Sequence, residues 1–276
     1  MSHGELQNLL KSLKLRIEVP EASIASLDEL EILRSAFSVS VPYENLSVLR
    51  DASISIDTLD VLNKFSKKRG GYCFELNTAF GALLKGYGLS PKMHLGRVWL
   101  RNPEQVPPRN HGTNVIEFGG RQYIADVGFG ARAPRCLIPL FDFGVEIDDG
   151  DALNEPVRII KDCHFGVMIQ RRIGGVWANQ YSLELEPAYR SDIEAANHFQ
   201  ASPLTSHFRQ HLFVGRFTAE GRDGLFDNRL TQRAGLDTKV HIITSLSEIR
   251  NVLESVFDID ARGYDQVLKA VVDRTA

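Results

Sequence analysis

Apolar positions near the start of the chain recur at helical steps: Leu6, Leu9, Leu10 and Leu13 share one stripe. In "SLDEL", Ser26 and Glu29 stand in the relation of a capping box, opening a helix that runs toward Phe37. In "SIDTLDVLNKFSKKRGG", Leu59, Leu62 and Phe65 lie on one side, lysines fill the last turn, and Gly70 stands where a helix would stop. A further run, opening at Cys73, carries Leu76, Phe80, Leu83 and Leu84 and ends around Gly86 or Gly88. The first region is therefore expected to be helical.

From about His94 the period shortens. "HLGRVWLR", "HGTNVIEF", "RQYIADV", "PVRIIKD", "FGVMIQRRI" and "VWANQYSLEL" read as strands separated by turn residues. Glycine pairs at Gly119-Gly120 and Gly174-Gly175 suit tight hairpins, so a small antiparallel barrel or sandwich is expected. After "LEPAYRSDIEAANHF" the pattern is mixed. "TKVHIIT" reads as a strand, "SLSEIRNVLESVF" as a helix with a capping box at Ser245 and Glu248, and "GYDQVLKAVV" as a last short helix. These textures make an α+β chain of three regions: residues 1–88, 89–200 and 201–276.

Composition narrows the function more than the fold. The 276 residues are 43% hydrophobic and 24% charged, with a net charge of −3, which gives no electrostatic footprint for nucleic acid or an anionic membrane. No stretch is apolar enough to span a bilayer, and the first residues lack a signal-peptide pattern. The three cysteines, Cys73, Cys136 and Cys163, are too scattered for a disulfide framework or a metal site. A reducing cytoplasm is the expected setting, and it would keep a reactive thiol free.

Cys73 can be read as a small buried hydrophobe or as a nucleophile. At a helix start the backbone N–H groups are unpaired and the macrodipole is positive, so a thiolate is stabilised there. The glycines before it would let a substrate approach the backbone, and Arg69 and Glu75 could pair to brace the turn. Such a nucleophile needs a histidine oriented by a carboxylate. If Gly119 and Gly120 form a two-residue turn, Phe118 pairs with Arg121 and Thr113 lies opposite Asp126. His111 and Asp126 then become diagonal neighbours on one face. A slip of one residue would part them. Asp126 could also be a plain turn residue. His94, His164, His198 and His241 are expected at the surface or in satisfied core positions, and Cys136 and Cys163 in packing. The glycines of "DVGFGA" lack the helix of a dinucleotide fingerprint and are expected to let backbone approach a ligand, with Phe129 as an apolar wall.

"VPYENLSVL", "RGGYCFELN", "YIADVGFG" and "NHFQASPLTSHF", in this order, resemble the arylamine N-acetyltransferase family over nearly the whole chain. The resemblance implies a helical bundle, a central antiparallel β-barrel and a C-terminal α/β lid, with Cys73, His111 and Asp126 as catalytic residues. It implies acetyl transfer from acetyl-coenzyme A through an acetyl-cysteine, with no metal, to an arylamine, a hydrazine or the oxygen of an N-hydroxyarylamine. Tyr43, Val98 and Phe129 resemble acceptor-pocket positions, and Gly130 resembles part of the loop beside the pantetheine of coenzyme A. Tyr43 stands where many members have phenylalanine, and Gly112, Thr113 and Asn114 replace a more apolar strand start. An amide synthase of the same superfamily would share the triad, and a papain-like cysteine hydrolase would share the chemistry.

Overall fold

The computed structural model describes residues 3–19, 23–150 and 155–275. The helical region holds α1 (His3–Arg16), α2 (Leu27–Ser40), the short strand β1 (Tyr43–Glu44), the single turn α3 (Leu46–Leu49), α4 (Thr58–Phe65) and α5 (Cys73–Gly86). Ser26 caps α2 with both halves of the expected box. The Asp57 side chain accepts from the Leu59 N–H to start α4. Helix α5 is buried on nearly every side, which is the pattern of a central helix rather than an amphipathic surface one. Its Leu76, Phe80 and Leu83 pack with Leu13, Phe37 and Leu62 in one core. Emptying the Phe80 site would cost about 3–5 kcal/mol.

The middle of the chain contributes β2 (Lys92–Val98), β3 (Arg109–Phe118), β4 (Arg121–Ala125), β5 (Ile138–Pro139), β6 (Val157–Asp162), β7 (Gly166–Ile173) and β8 (Val176–Leu183). They form one antiparallel sheet in the order β5-β4-β3-β2-β8-β7-β6, curled so that β5 approaches β6 as a nearly closed barrel. The β3–β4 register is the one expected from the glycine pair: Phe118 faces Arg121 and Asn114 faces Ala125. Gly119 and Gly120 both take positive φ, 58° and 74°, as a type I′ turn requires. Gly174 and Gly175 do the same between β7 and β8.

Helices α6 (Arg190–Ala201) and α7 (His207–Gln210) lead to β9 (Phe213–Phe217), β10 (Gly221–Phe226), β11 (Arg229–Ala234), β12 (Asp237–Ile242), α8 (Leu246–Ser255) and α9 (Asp265–Thr275). The second sheet runs β1-β9-β10-β11-β12, so the helical region lends one strand to it. Ile249, Leu253, Leu268 and Val271 of α8 and α9 cover Val214, Leu225 and Leu230 of this sheet. The α+β architecture implied by the resemblance is the one observed. Among the described residues, no helix is long and apolar enough to cross a membrane.

Several local expectations need correction. Helix α4 ends at Phe65, well before Gly70. Gly70 is needed for close packing instead, since a Cβ there would lie 1.8 Å from the Pro42 carbonyl oxygen. Arg69 does not pair with Glu75: it binds Glu44 at 2.6 Å, while Glu75 takes Lys64 at 2.7 Å. Lys64 also lies 3.6 Å from Glu44, so each buried carboxylate has a cation within reach. At α8 only half of the capping box forms, because Glu248 turns its carboxylate to the Thr244 N–H. Cys163 is exposed rather than packed.

Candidate active site

Cys73 opens α5, just after the chain has been tied down by Gly71. The Glu44 N–H donates to the Gly71 carbonyl at 2.9 Å, and the Glu75 carboxylate accepts the Tyr72 N–H at 3.2 Å. The first-turn N–H groups of α5, that of Cys73 among them, have no acceptor within the helix. Cys73 is buried, with 4% of its surface exposed, and its Sγ lies 3.8 Å from the Asn110 carbonyl oxygen.

His111 lies on β3 opposite Gly96 of β2, and Asp126 follows the last residue of β4. His111 Nε2 meets Asp126 Oδ2 at 2.7 Å, with both side chains buried. Nε2 is thereby committed to Asp126, and the Cys73 side chain lies close enough to raise the ring's affinity for a proton. Burial alone would strip the proton from His111. The charge of Asp126, its hydrogen bond and the neighbouring Cys73 outweigh burial and raise the pKa to about 10. Burial pushes Asp126 the other way, but the imidazolium, the Gly128 N–H and the Asn77 amide hold its carboxyl below the usual range. The pair is therefore kept as an ion pair in a dry site.

Asn77, which sequence reasoning gave no role, ties the helix of Cys73 to β3 and to Asp126. Four residues after Cys73, it lies on the same side of α5. Its Nδ2 donates to the Gly112 carbonyl at 2.8 Å and reaches the Cys73 carbonyl at 3.2 Å and Asp126 Oδ1 at 3.3 Å. Asn114 Nδ2 donates in turn to the Asn77 carbonyl at 2.8 Å. The polar start of β3 is thus explained, because Gly112 and Asn114 bond the nucleophile helix rather than filling an apolar wall. Gly112 also has no room for a Cβ, which would come 2.8 Å from the Phe74 ring. At Gly128 a Cβ would meet the Asn77 amide at 2.4 Å and the Cys73 Cα at 2.8 Å, so glycine is required for β4 to deliver Asp126 this close to the helix.

Phe129 is half-buried, and its ring stands edge-on to His111 with centroids 5.0 Å apart. Tyr181, a second residue missed in the sequence, lies 4.8 Å from both rings. Its buried hydroxyl sits beside the Asp126 carboxylate without a well-formed hydrogen bond. Val98 faces Tyr181 across the β2–β8 pair. Tyr43 borders Gly130, where a Cβ would be 3.7 Å from its ring, and Phe208, 6.4 Å away between centroids. Burial first, then the negative charges of Cys73, Glu75 and Asp126, push the Tyr43 hydroxyl well above its ordinary pKa, so it remains a donor. Of the other cysteines, Cys136 is half-buried, and burial pushes its thiol up to about 12.

A thiol at a helix start, an imidazole and a carboxylate in this order are the parts of a cysteine-nucleophile enzyme that forms an acyl-thioester. The sequence matches the N-acetyltransferase family over residues 26–266. It is 32% identical over 207 residues to the arylamine N-acetyltransferase of Escherichia coli (strain K12), covering 75% of this chain and 72% of that one. Among solved structures, the arylamine N-acetyltransferase of Salmonella typhimurium superposes with a TM-score of 0.89 at 26% identity, over 96% of this chain and 98% of the other. The Mycobacterium marinum enzyme, solved in complex with CoA, gives 0.88 at 25% identity over the same shares. The chain belongs to the arylamine N-acetyltransferase family.

Proposed function

We propose that this protein carries an acetyl group from acetyl-coenzyme A to the nitrogen of an arylamine or hydrazine, holding it between the two halves as a thioester on Cys73. The observation that carries this reading is the 2.7 Å His111–Asp126 pair buried against a thiol at the start of α5. In the first half-reaction the Cys73 proton resides on His111, and the thiolate attacks the thioester carbonyl. The oxyanion is held by first-turn N–H groups of α5, Cys73's own included. Collapse breaks the carbon–sulfur bond to coenzyme A, whose thiolate leaves with the proton from His111.

Acetylation also resets the base. The Cys73 thiolate is one of the charges that keep His111 protonated, and the thioester carries no charge. In the acetyl-enzyme His111 therefore holds a proton less tightly, with Asp126 still orienting the ring. The amine lone pair attacks the thioester, His111 Nδ1 takes the proton from the cationic nitrogen, and the Cys73 thiolate departs. Tyr43, Val98 and Phe129 would wall the acceptor pocket, and Gly130 would lie against the pantetheine. Residues 1–88 supply the nucleophile, 89–200 the imidazole and carboxylate, and 201–276 a cover. A reducing cytoplasm would keep Cys73 a free thiol.

The test is kinetic. Initial rates at several fixed arylamine concentrations should give parallel double-reciprocal lines, the pattern of two separate half-reactions. Intersecting lines would require direct transfer in a ternary complex and make Cys73 a bystander.

A further inference from the structure

The first turn of α5 holds two acidic groups. Cys73 opens the helix, and Glu75 stands two residues further on with 3% of its surface exposed. A carboxylate suits a helix start, but its charge opposes a thiolate beside it, and burial leaves that opposition little screened. Glu75 is also part of the turn itself. Its Oε2 accepts the Tyr72 N–H at 3.2 Å, and the Gly71 backbone packs so closely that a Cβ there would lie 2.6 Å from the Glu75 Cβ.

The counter-charge comes from another helix. Lys64, in the last turn of α4, places Nζ 2.7 Å from Glu75 Oε1 and 3.6 Å from Glu44 Oε1. Arg69 is not free to replace it. Its guanidinium donates to Glu44 at 2.6 Å and 3.1 Å and to the Tyr264 hydroxyl at 2.5 Å. Among the described residues, Lys64 is the one cation in ion-pair range of Glu75. Burial pushes the Glu75 carboxyl above its usual range, Lys64 pulls it back, and the charge of Glu44 adds to the rise.

With Lys64 removed, Arg69 alone would serve two buried carboxylates. Glu75 would then carry an unbalanced charge beside Cys73, or give up the Tyr72 N–H to reach water. Each outcome disturbs the turn on which the nucleophile stands. We propose that Lys64 is a positioning residue for acetyl transfer, balancing and holding Glu75 so that the Tyr72–Cys73 turn stays fixed, an inference that rests on the Cys73 chemistry assigned above. In this role Lys64 works through Glu75 and not on the reacting atoms. A displacement of about 1 Å in such a turn costs up to roughly a hundredfold in rate.

Single-turnover acetylation of Cys73 by acetyl-coenzyme A tests this, alongside alkylation of Cys73 by iodoacetamide and thermal melts. The proteins are the wild type, Lys64→Met, Lys64→Arg, Glu75→Gln and the double variant Lys64→Met/Glu75→Gln. Lys64→Met should lower the maximal acetylation rate by roughly ten- to a hundredfold, leave the half-saturating concentration of acetyl-coenzyme A within about threefold, and slow alkylation of Cys73 by about tenfold relative to Cys163. Lys64→Arg should recover most of the loss. So should the double variant, because the amide oxygen of a glutamine still accepts the Tyr72 N–H and brings no charge to balance. A merely structural ion pair would lower the Tm of Lys64→Met and leave both rates of the folded protein unchanged, which would overturn the proposal. A double variant no faster than Lys64→Met would overturn it too. Should Lys64→Met fail to fold, Glu75→Gln and the double variant decide the matter. They should be acetylated at rates within about threefold of each other, and a much slower double variant would show that Lys64 does not act through Glu75. A wild type that is acetylated while Lys64→Met matches it rejects the positioning role only. A wild type never acetylated on Cys73 rejects the reaction instead, and the alkylation rates then judge Lys64 alone.

Discussion

Two histidine–aspartate pairs in this chain have almost the same length. His111 and Asp126 are 2.7 Å apart, and His211 and Asp227 are 2.6 Å apart. Both aspartates lie just beyond the end of a strand, and both accept a backbone N–H as well. The difference lies in what surrounds them. The His111 side chain is 3% exposed and faces the Cys73 thiol, whereas that of His211 is 37% exposed and stacks on Phe226. Asp227 also binds Arg274, a permanent cation that takes up its charge. Among the described residues Asp126 has no such competitor, so its charge acts on the imidazole. Hydrogen-bond length alone does not make a catalytic pair. Dryness and a thiol close to the ring set the first pair apart.

Removing each carboxylate in turn breaks this comparison most sharply. Asp126→Asn should leave the fold largely intact and lower acetyl transfer by roughly three orders of magnitude. Asp227→Asn should leave transfer within about threefold and lower stability by about 1–2 kcal/mol, through weakened bonds to the Leu212 N–H and Arg274. Steady-state rates and denaturant melts on both variants check the split. Equal losses of activity would mean that Asp126 is only a turn residue.

Thiol reactivity sharpens the same contrast. Under limiting iodoacetamide at neutral pH, Cys73 should be alkylated first, by roughly tenfold in rate over exposed Cys163, with Cys136 last. Prior exposure to acetyl-coenzyme A should protect Cys73 alone. Peptide mass analysis reads the order, and modification of Cys163 ahead of Cys73 would count against an activated thiol.

The Asn77→Ala variant probes the brace between the pair and the helix. It strands the Gly112 carbonyl and loosens Asp126, so stability should fall by about 2 kcal/mol, with a loss of transfer that exceeds any change in KM. A last test is the effect of pH on stability. The pKa of His111 is raised to about 10 in the fold, above its value of about 6.5 in an unfolded chain. Its charge therefore stabilises the protein fully below about pH 6.5, and that contribution is lost as pH rises toward 10. The Tm advantage of wild type over His111→Gln should shrink across that window. A constant difference would show that His111 is neutral in the resting protein.

The first pair was legible in the sequence and the second was not, for a geometric reason. Gly119 and Gly120 force a two-residue turn, which fixes the β3–β4 register as far as Asn114 and Ala125 and with it the face of β3 on which His111 stands. The β9–β10 connection contains no such pair, and "VGRF", "GRDGLF" and "RLTQRA" mix charge and glycine too freely to show a strand period. Strands β9, β10 and β11 therefore give no strand signal in the sequence, although "TKVHIIT" beside them reads as the strand observed as β12. Asn77 and Tyr181 escaped for another reason. Their work depends on tertiary approach, and a helix position or strand alternation says which way a side chain points but not what it meets. The Arg69–Glu75 pairing failed likewise, because Glu44 and Lys64 come from elsewhere in the fold and offer each partner a closer counter-charge.

The central claim is that the acetyl group rests on Cys73 between donor and acceptor. Intact-protein mass spectrometry after exposure to acetyl-coenzyme A without amine measures this directly. One acetyl group should appear, map to the peptide holding Cys73, be absent from Cys73→Ala, and vanish when a simple arylamine is added, with acetylated amine released in equal amount. An unmodified protein that nonetheless acetylates the amine when both substrates are present would contradict the account.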